Sequence, residues 1–438
     1  MSAARLPPLV AKELRALLPA WGATFCAVGV AALSGSRSHG LGVIAYVLGS
    51  VTLGSQSVGH EYTNRTLTLL LSQPVERQRL LLTKLAVTTA LLLTLAGFAS
   101  LTVLAPDERQ LILGSILCGL FLAPLLTMVC RNALAGPVFA GAMPMWAPPL
   151  TALLGAGVVW GVALPAFAVS AVASWRVFMH LEAIDGRGVE LHLPRMLPQT
   201  MAGTSADAAR TRHPMWLLVK KELHLQQMTF AVAGLWLVIW AAVFALAPIV
   251  PGLPEFPLAG VGILYGALLA VLIGSLASAE ERQNGTLEWQ MLLPMAAWQQ
   301  WTVKVGSTLI LTAMLSYAFP LALAAGRVSV NAWHAGAIVM LTTGSLYISS
   351  LCRTTVRALM VSGAVLLALG ELGLYLAGVY AGAVSFLAAP LAAVVTLTLW
   401  FALENHRSAE HRARRVASQL LWMAACLALG AVAIRSMS

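Results

Sequence analysis

The sequence predicts an all-α polytopic membrane protein, two tandem six-helix transmembrane halves plus one extra C-terminal apolar helix. Three observations carry this prediction. Of the 438 residues, 59% are hydrophobic and only 10% are charged, whereas a typical soluble domain has about 25% charged residues. Apolar runs long enough to cross a hydrocarbon core of about 30 Å alternate with short polar stretches. A polar stretch beginning at Glu61 also returns, in the same register, at Glu281. No water-facing fold hides this much apolar surface, so lipid is the solvent for most of the chain.

The first half occupies 1–175. Leu9 to Leu18 mixes apolar positions with Lys12, Glu13 and Arg15 and reads as a short amphipathic helix on the membrane surface. Spans come next near 17–33, 41–59, 85–104 and 111–129, with a polar island over 60–84. The stretch from Ala133 to Ser174 is uncharged for 42 residues, too long for one span at about 1.5 Å per residue. A break at Pro148-Pro149 divides it near 133–150 and 153–175, giving two spans or a span and a re-entrant piece.

Residues 176–226 read as a cytoplasmic linker ending in a second amphipathic helix. There Lys221-Glu222-Leu223 echoes Lys12-Glu13-Leu14 at an offset of 209 residues. The second half, 227–402, repeats the order of the first, with its island over 279–304. Segment 403–438 adds a basic cluster, His406 to Arg415, and one unmatched apolar run, Leu420 to Ile434.

Placing both islands, the linker and the basic cluster on one side leaves only Arg37, Arg109, Arg327 and Arg435 of the 27 Lys and Arg on the other. That bias assigns the crowded side, and the N-terminus with it, to the cytoplasm. It also accounts for the net charge of +10 without a nucleic-acid partner. The five cysteines form no Cys-x-x-Cys pair, so neither zinc nor a disulfide framework is indicated. The chain lacks a Gly-x-x-x-x-Gly-Lys-Ser/Thr phosphate loop and is not expected to hydrolyse ATP.

Two rival functions fare less well. An intramembrane enzyme needs a catalytic constellation inside the spans, yet no Asp occurs in a predicted span and no His-Glu-x-x-His occurs at all. A secondary, ion-coupled transporter needs acids near the midplane. Glu371 is the one acid inside an apolar run. It lies fourteen residues past Arg357, about 21 Å along a helix, which favours a hydrated outer position; the alternative is a substrate contact.

The islands carry the most specific signal. Glu61, Asn64, Thr66, Leu67, Pro74 and Lys84 recur 220 residues later as Glu281, Asn284, Thr286, Leu287, Pro294 and Lys304. Gly54-Ser55 and Gly274-Ser275 keep that offset, and Cys130-Arg131 matches Cys352-Arg353 at 222. Leu67, Leu70 and Leu71 share one helical face, and Glu61 with Arg65 is spaced to pair on the outer side. Each proline restarts a helix, and each lysine marks a snorkelling position where the next span begins. The expected element is a short helix parallel to the membrane, joined to two spans. The plainer reading is a solvated loop whose recurrence records duplication alone.

Glu-x-x-x-x-Thr-Leu-x-x-Leu-Leu-x-x-Pro-x-x-Arg, with Lys84 beyond it, resembles the permease subunits of type-2 ABC exporters, such as the bacterial antibiotic-export and copper-site-maturation permeases. In the second copy Ala297 replaces the arginine. The resemblance implies a substrate pathway in a bacterial inner membrane and export as the direction. It also implies two separate ABC ATPase subunits per pathway that use Mg-ATP, with room for accessory membrane or periplasmic subunits. It implies ATPase docking through Glu61, Arg65, Thr66, Leu67, Leu70, Pro74 and Arg77, with Arg131 at a smaller contact. In the second half the implied set is Glu281, Arg282, Thr286, Leu287 and Pro294, with Arg353 at the smaller contact. The fusion of two halves and the extra C-terminal run depart from the pattern.

Overall fold

The computed structural model describes residues 7–33, 39–64, 66–72, 75–105, 108–141, 143–144, 151, 155–181, 214–246, 258–292, 295–323, 332–366, 388–408 and 413–437. Every regular element among them is a helix. They are α1 (Pro8–Leu33), α2 (His39–Thr63), α3 (Leu67–Leu71), α4 (Arg77–Thr102), α5 (Gln110–Cys130) and α6 (Ala156–Met179). Then come α7 (Pro214–Leu225), α8 (Gln227–Leu246), α9 (Leu258–Asn284), α10 (Thr286–Met291) and α11 (Ala297–Leu323). The last are α12 (Ala332–Leu351), α13 (Thr355–Leu366), α14 (Ala388–Arg407) and α15 (Ala413–Met437).

Seven of these helices are long and apolar enough to cross a membrane, or eight if α7 and α8 form one bent span. The chain is therefore a multi-span helical membrane protein. The count among the described residues falls below the two sets of six expected from sequence. α12 carries His334 and a Thr/Ser-rich second half, which dilutes its hydropathy. The expected break at Pro148-Pro149 and the apolar run around Glu371 lie outside the described residues.

The chain divides into two compact units, Met1–Glu190 with Gly363–Tyr375, and Leu191–Ser362 with Leu376–Ser438. In the first, α2 is the central helix: 72% of its apolar window is buried, against 28% for α1. Its small residues make this possible, since glycine and serine let helix backbones approach closely in lipid. A Cβ on Gly54 would lie 1.7 Å from the Gly119 carbonyl oxygen of α5. Next to it, Ser55 Oγ donates to the Ala133 carbonyl at 2.6 Å and lies 2.8 Å from Thr127 Oγ1. The described start of the expected 133–150 span is thus a short buried turn, Gly136–Ala140 included, laid against α2.

α5 widens into a π-helical turn over Cys118–Leu122, just before Pro124. A proline ring collides with the carbonyl four residues back, and one wide turn absorbs that collision without breaking the span. The same device precedes Pro320 in α11, over Thr312–Ala318. α5 then ends on Arg131, whose φ of 49° is left-handed, and the Asn132 side chain accepts from the Leu134 N–H at 2.9 Å.

The N-terminus differs from the sequence expectation. α1 is one uninterrupted 26-residue helix, not a surface helix joined to a separate span. Of the charges that suggested an interfacial helix, Glu13 is inside the protein, 3% exposed and paired with Lys84, while Lys12 and Arg15 remain exposed. α4 likewise starts at Arg77 rather than near 85.

In the second unit α9 takes the central place, again with 72% of its window buried. A Cβ on Gly274 would meet Ser345 Oγ at 2.0 Å and the Thr342 carbonyl at 2.5 Å, so α9 and α12 touch backbone to backbone. Here the N-terminal amphipathic segment does separate: α7 and α8 meet at 55°. Gln226 stabilises the corner, donating to the Ile273 carbonyl at 3.0 Å and accepting from Thr229 at 2.7 Å. The extra apolar run is α15. It is tied to α12 and α14 by Gln419, whose amide meets Tyr347 and Asn405 at 3.0–3.3 Å.

Candidate functional site

Each polar island sits on a buried ionic cluster. In the first unit, Lys12 and Glu13 come from the first turns of α1, His60 and Glu61 from the last turn of α2, and Lys84 from α4. Lys84 Nζ donates to Glu13 Oε1 at 2.8 Å and to the Ser57 carbonyl at 2.9 Å, and lies 3.5 Å from Glu61 Oε1. Lys12 Nζ donates to Glu61 Oε1 at 2.8 Å, and His60 Nε2 is 3.1 Å from the same oxygen. Thr66 Oγ1 donates to Glu61 Oε2, so the residue just before α3 is tied to the cluster. The Thr66 N–H also reaches the Glu61 carbonyl at 3.0 Å.

The second unit builds the same constellation. Lys304 Nζ donates to both oxygens of Glu222 at 3.0 Å and to the Ala277 carbonyl at 2.6 Å. It lies 2.9 Å from Glu281 Oε2, while Lys221 Nζ donates to Glu281 Oε1 and to Gln290 Oε1. Thr286 Oγ1 donates to the Glu281 carbonyl at 3.3 Å. Lys84 with Glu61 and the Ser57 carbonyl corresponds at 220 residues to Lys304 with Glu281 and the Ala277 carbonyl. Lys12-Glu13 corresponds at 209 to Lys221-Glu222.

Burial sets the energetics. Glu61, Glu281 and Lys304 are 0% exposed and Lys84 is 1% exposed. Each cluster pairs two ammonium groups with two carboxylates, and the central lysine of each also donates to a backbone carbonyl. Such a pair adds little net stability over an apolar replacement, but removing one member strands a buried charge at about 3–5 kcal/mol. The clusters therefore fix geometry: α1, α2 and α4 are pinned at one end in the first unit, and α7, α9 and α11 in the second. α3 and α10 leave directly from those ends.

These positions correct part of the sequence reading. Lys84 and Lys304 do not snorkel; both are inside the protein with carboxylate partners. Glu61 does not stand on an outer face, and neither it nor Glu281 offers surface to a soluble partner. Arg65, Pro74, Pro294 and Glu371 lie outside the described residues. Leu70 is buried at 2% exposure among Val58, Leu80, Leu81, Met128 and Phe178, with Leu67 half-buried beside it. Leu287 is 7% exposed. Arg282 is half-buried and donates to the Asn405 carbonyl at 3.1 Å. Thr286, Arg77, Arg131 and Arg353 are exposed, and Arg77 donates to the Met179 carbonyl. The island surfaces also expose Leu69 at 66% and Leu292 at 77%.

Sequence reasoning placed Lys12-Glu13 and Lys221-Glu222 on surface helices and missed them as partners of the islands. The signal was present: two pairs recurring at 209 and two at 220 are what one duplicated contact set, with a longer intervening loop, would leave. Glu13, His60 and Glu61 present ligand atoms within 4.8 Å of one another, a spacing a metal ion could use. Lys84 and Lys12 already neutralise both carboxylates, so the cluster offers a divalent cation no net charge to attract it. No protein-family model, curated protein sequence or solved structure matches this chain.

Proposed function

We propose that this chain is the membrane-spanning permease of an ATP-driven transporter of the type-2 ABC exporter kind, with two units descended from one duplicated ancestor. The observation that carries the reading is the recurrence of one buried Lys–Glu constellation under two short helices. A duplicated contact set of this kind ties each short helix to three long ones. A soluble ATPase that grips the exposed side of α3 or α10 would then move the long helices with it. The proposed gripping surfaces are the exposed Leu69 and Arg77 in the first unit and the exposed Thr286 and Leu292 in the second, each unit also exposing the arginine of its expected smaller contact, Arg131 or Arg353. Glu61 and Glu281 hold that surface in place from beneath. The export direction and the inner-membrane setting rest on the resemblance alone.

Purification of the intact protein from its native membrane in mild detergent tests this. Vanadate-sensitive ATP hydrolysis is expected to co-elute with the wild-type chain and to be lost from the Leu69→Glu, Leu292→Glu double variant at unchanged thermal stability. Preparations free of ATPase, or a double variant that retains it, contradict the proposal. Glu61→Arg is unsuitable here, since it would disrupt the cluster before it reported on docking. The ion-coupled alternative draws on the same buried Glu and Lys residues. They sit at helix ends rather than at the midplane, where coupling ions are bound.

A further inference from the structure

Beside the first ionic cluster, on the opposite side of α4, the surface has a different character. Glu76 and Arg79 are exposed, three residues apart, and neither forms an ion pair with a described residue. They stand at the mouth of an open groove of about 660 Å³ walled by Leu82, Ala86 and Ala90 of α4 and Val10 of α1. Positions 79, 82, 86 and 90 recur at helical spacing and so line one face, while Lys84 points away into the cluster. Arg79 to Ala90 is eleven residues, about 16 Å of helix running into the apolar part of the span.

We propose that this groove binds one phospholipid with a phosphoethanolamine headgroup: phosphate on Arg79, ammonium on Glu76, and an acyl chain along Leu82, Ala86 and Ala90. The length of the groove along α4 selects a lipid over a soluble protein segment, because a soluble partner cannot follow α4 for that distance into hydrocarbon. The two charges select the headgroup. An anionic glycerol headgroup satisfies Arg79 but leaves Glu76 facing negative charge. A choline headgroup carries no N–H to donate to Glu76. The second unit is an internal control, since the positions 220 residues on are Ala296 and Gln299 and carry no charge.

The test is native mass spectrometry of the full-length protein, delipidated in detergent and offered equimolar phosphatidylethanolamine, phosphatidylglycerol and phosphatidylcholine. One phosphatidylethanolamine adduct per chain is expected to dominate. Glu76→Gln and Arg79→Gln should each cut its occupancy about tenfold, the value of one charge-assisted hydrogen bond. Ala86→Leu with Ala90→Leu should displace the adduct by filling the groove, and Gln299→Ala should leave it unchanged. Equal retention of either other lipid overturns the proposal, as does undiminished phosphatidylethanolamine in the two charge variants or in the groove-filled variant.

Discussion

At the scale of single residues, Lys84 and Lys304 distinguish a structural ion pair from a surface one. Lys84→Met and Lys304→Met should each destabilise the protein by about 3–5 kcal/mol, because each leaves one buried carboxylate, Glu13 or Glu222, without its hydrogen-bonded lysine. Removing the carboxylate partner as well should recover much of that loss, so Glu13→Leu with Lys84→Met should melt above Lys84→Met alone. A double-mutant cycle in thermal unfolding measures the coupling; additive losses would place these groups in water rather than in contact. His406 supplies a second prediction. It lies past Ala402, beyond the apolar run, and packs 5.4 Å from Trp301 with neither ring nitrogen hydrogen-bonded among the described residues. Burial pushes its imidazole down to about 4, and nearby Lys304 acts in the same direction. Between pH 6.5 and 4 the unfolded chain then binds a proton that the folded one does not, so stability falls as pH drops through that window. Below pH 4 this contribution levels off. His406→Asn should flatten this part of the melting profile relative to wild type; an unchanged difference between pH 6.5 and 4 would contradict the assignment.

At the scale of elements, glycine contacts decide how the central helices sit. Gly54→Ala pushes a methyl group into the Gly119 carbonyl, and Gly274→Ala pushes one toward Thr342. Both call for backbone displacement, so each should lower the melting temperature and the yield of folded protein. Gly22 has nothing within 4 Å of where a Cβ would stand, and Gly22→Ala in α1 should be neutral or slightly stabilising. Equal melting temperatures for all three variants would mean that the helices do not cross where described. The same scale shows what the sequence could and could not convey. Apolar length located α2, α4, α5 and α9, because crossing lipid imposes that length on any helix. The recurrence of Glu61 with Lys84 and of Glu281 with Lys304 was legible as spacing. Its meaning was not, because whether a lysine near a helix end snorkels or turns inward depends on a partner from another helix. Glu13 supplied that partner from 71 positions away. The unbroken course of α1, against the corner between α7 and α8, was equally hidden. Both segments carry Lys-Glu-Leu, but Gln226 takes the Ile273 carbonyl in only one of them.

At the scale of the whole molecule, composition and apolar length establish a multi-span helical membrane protein, and the transport reading rests on the twin islands. The proposed docking role requires that α3 and α10 be reached from the same side of the membrane. Single cysteines at Leu69 and Leu292, introduced after replacing the five native cysteines, test it most directly with a membrane-impermeant thiol reagent on sealed vesicles of known orientation. Both positions are predicted to label in inside-out vesicles and to stay protected in right-side-out ones. Labelling of the two from opposite sides would contradict the account.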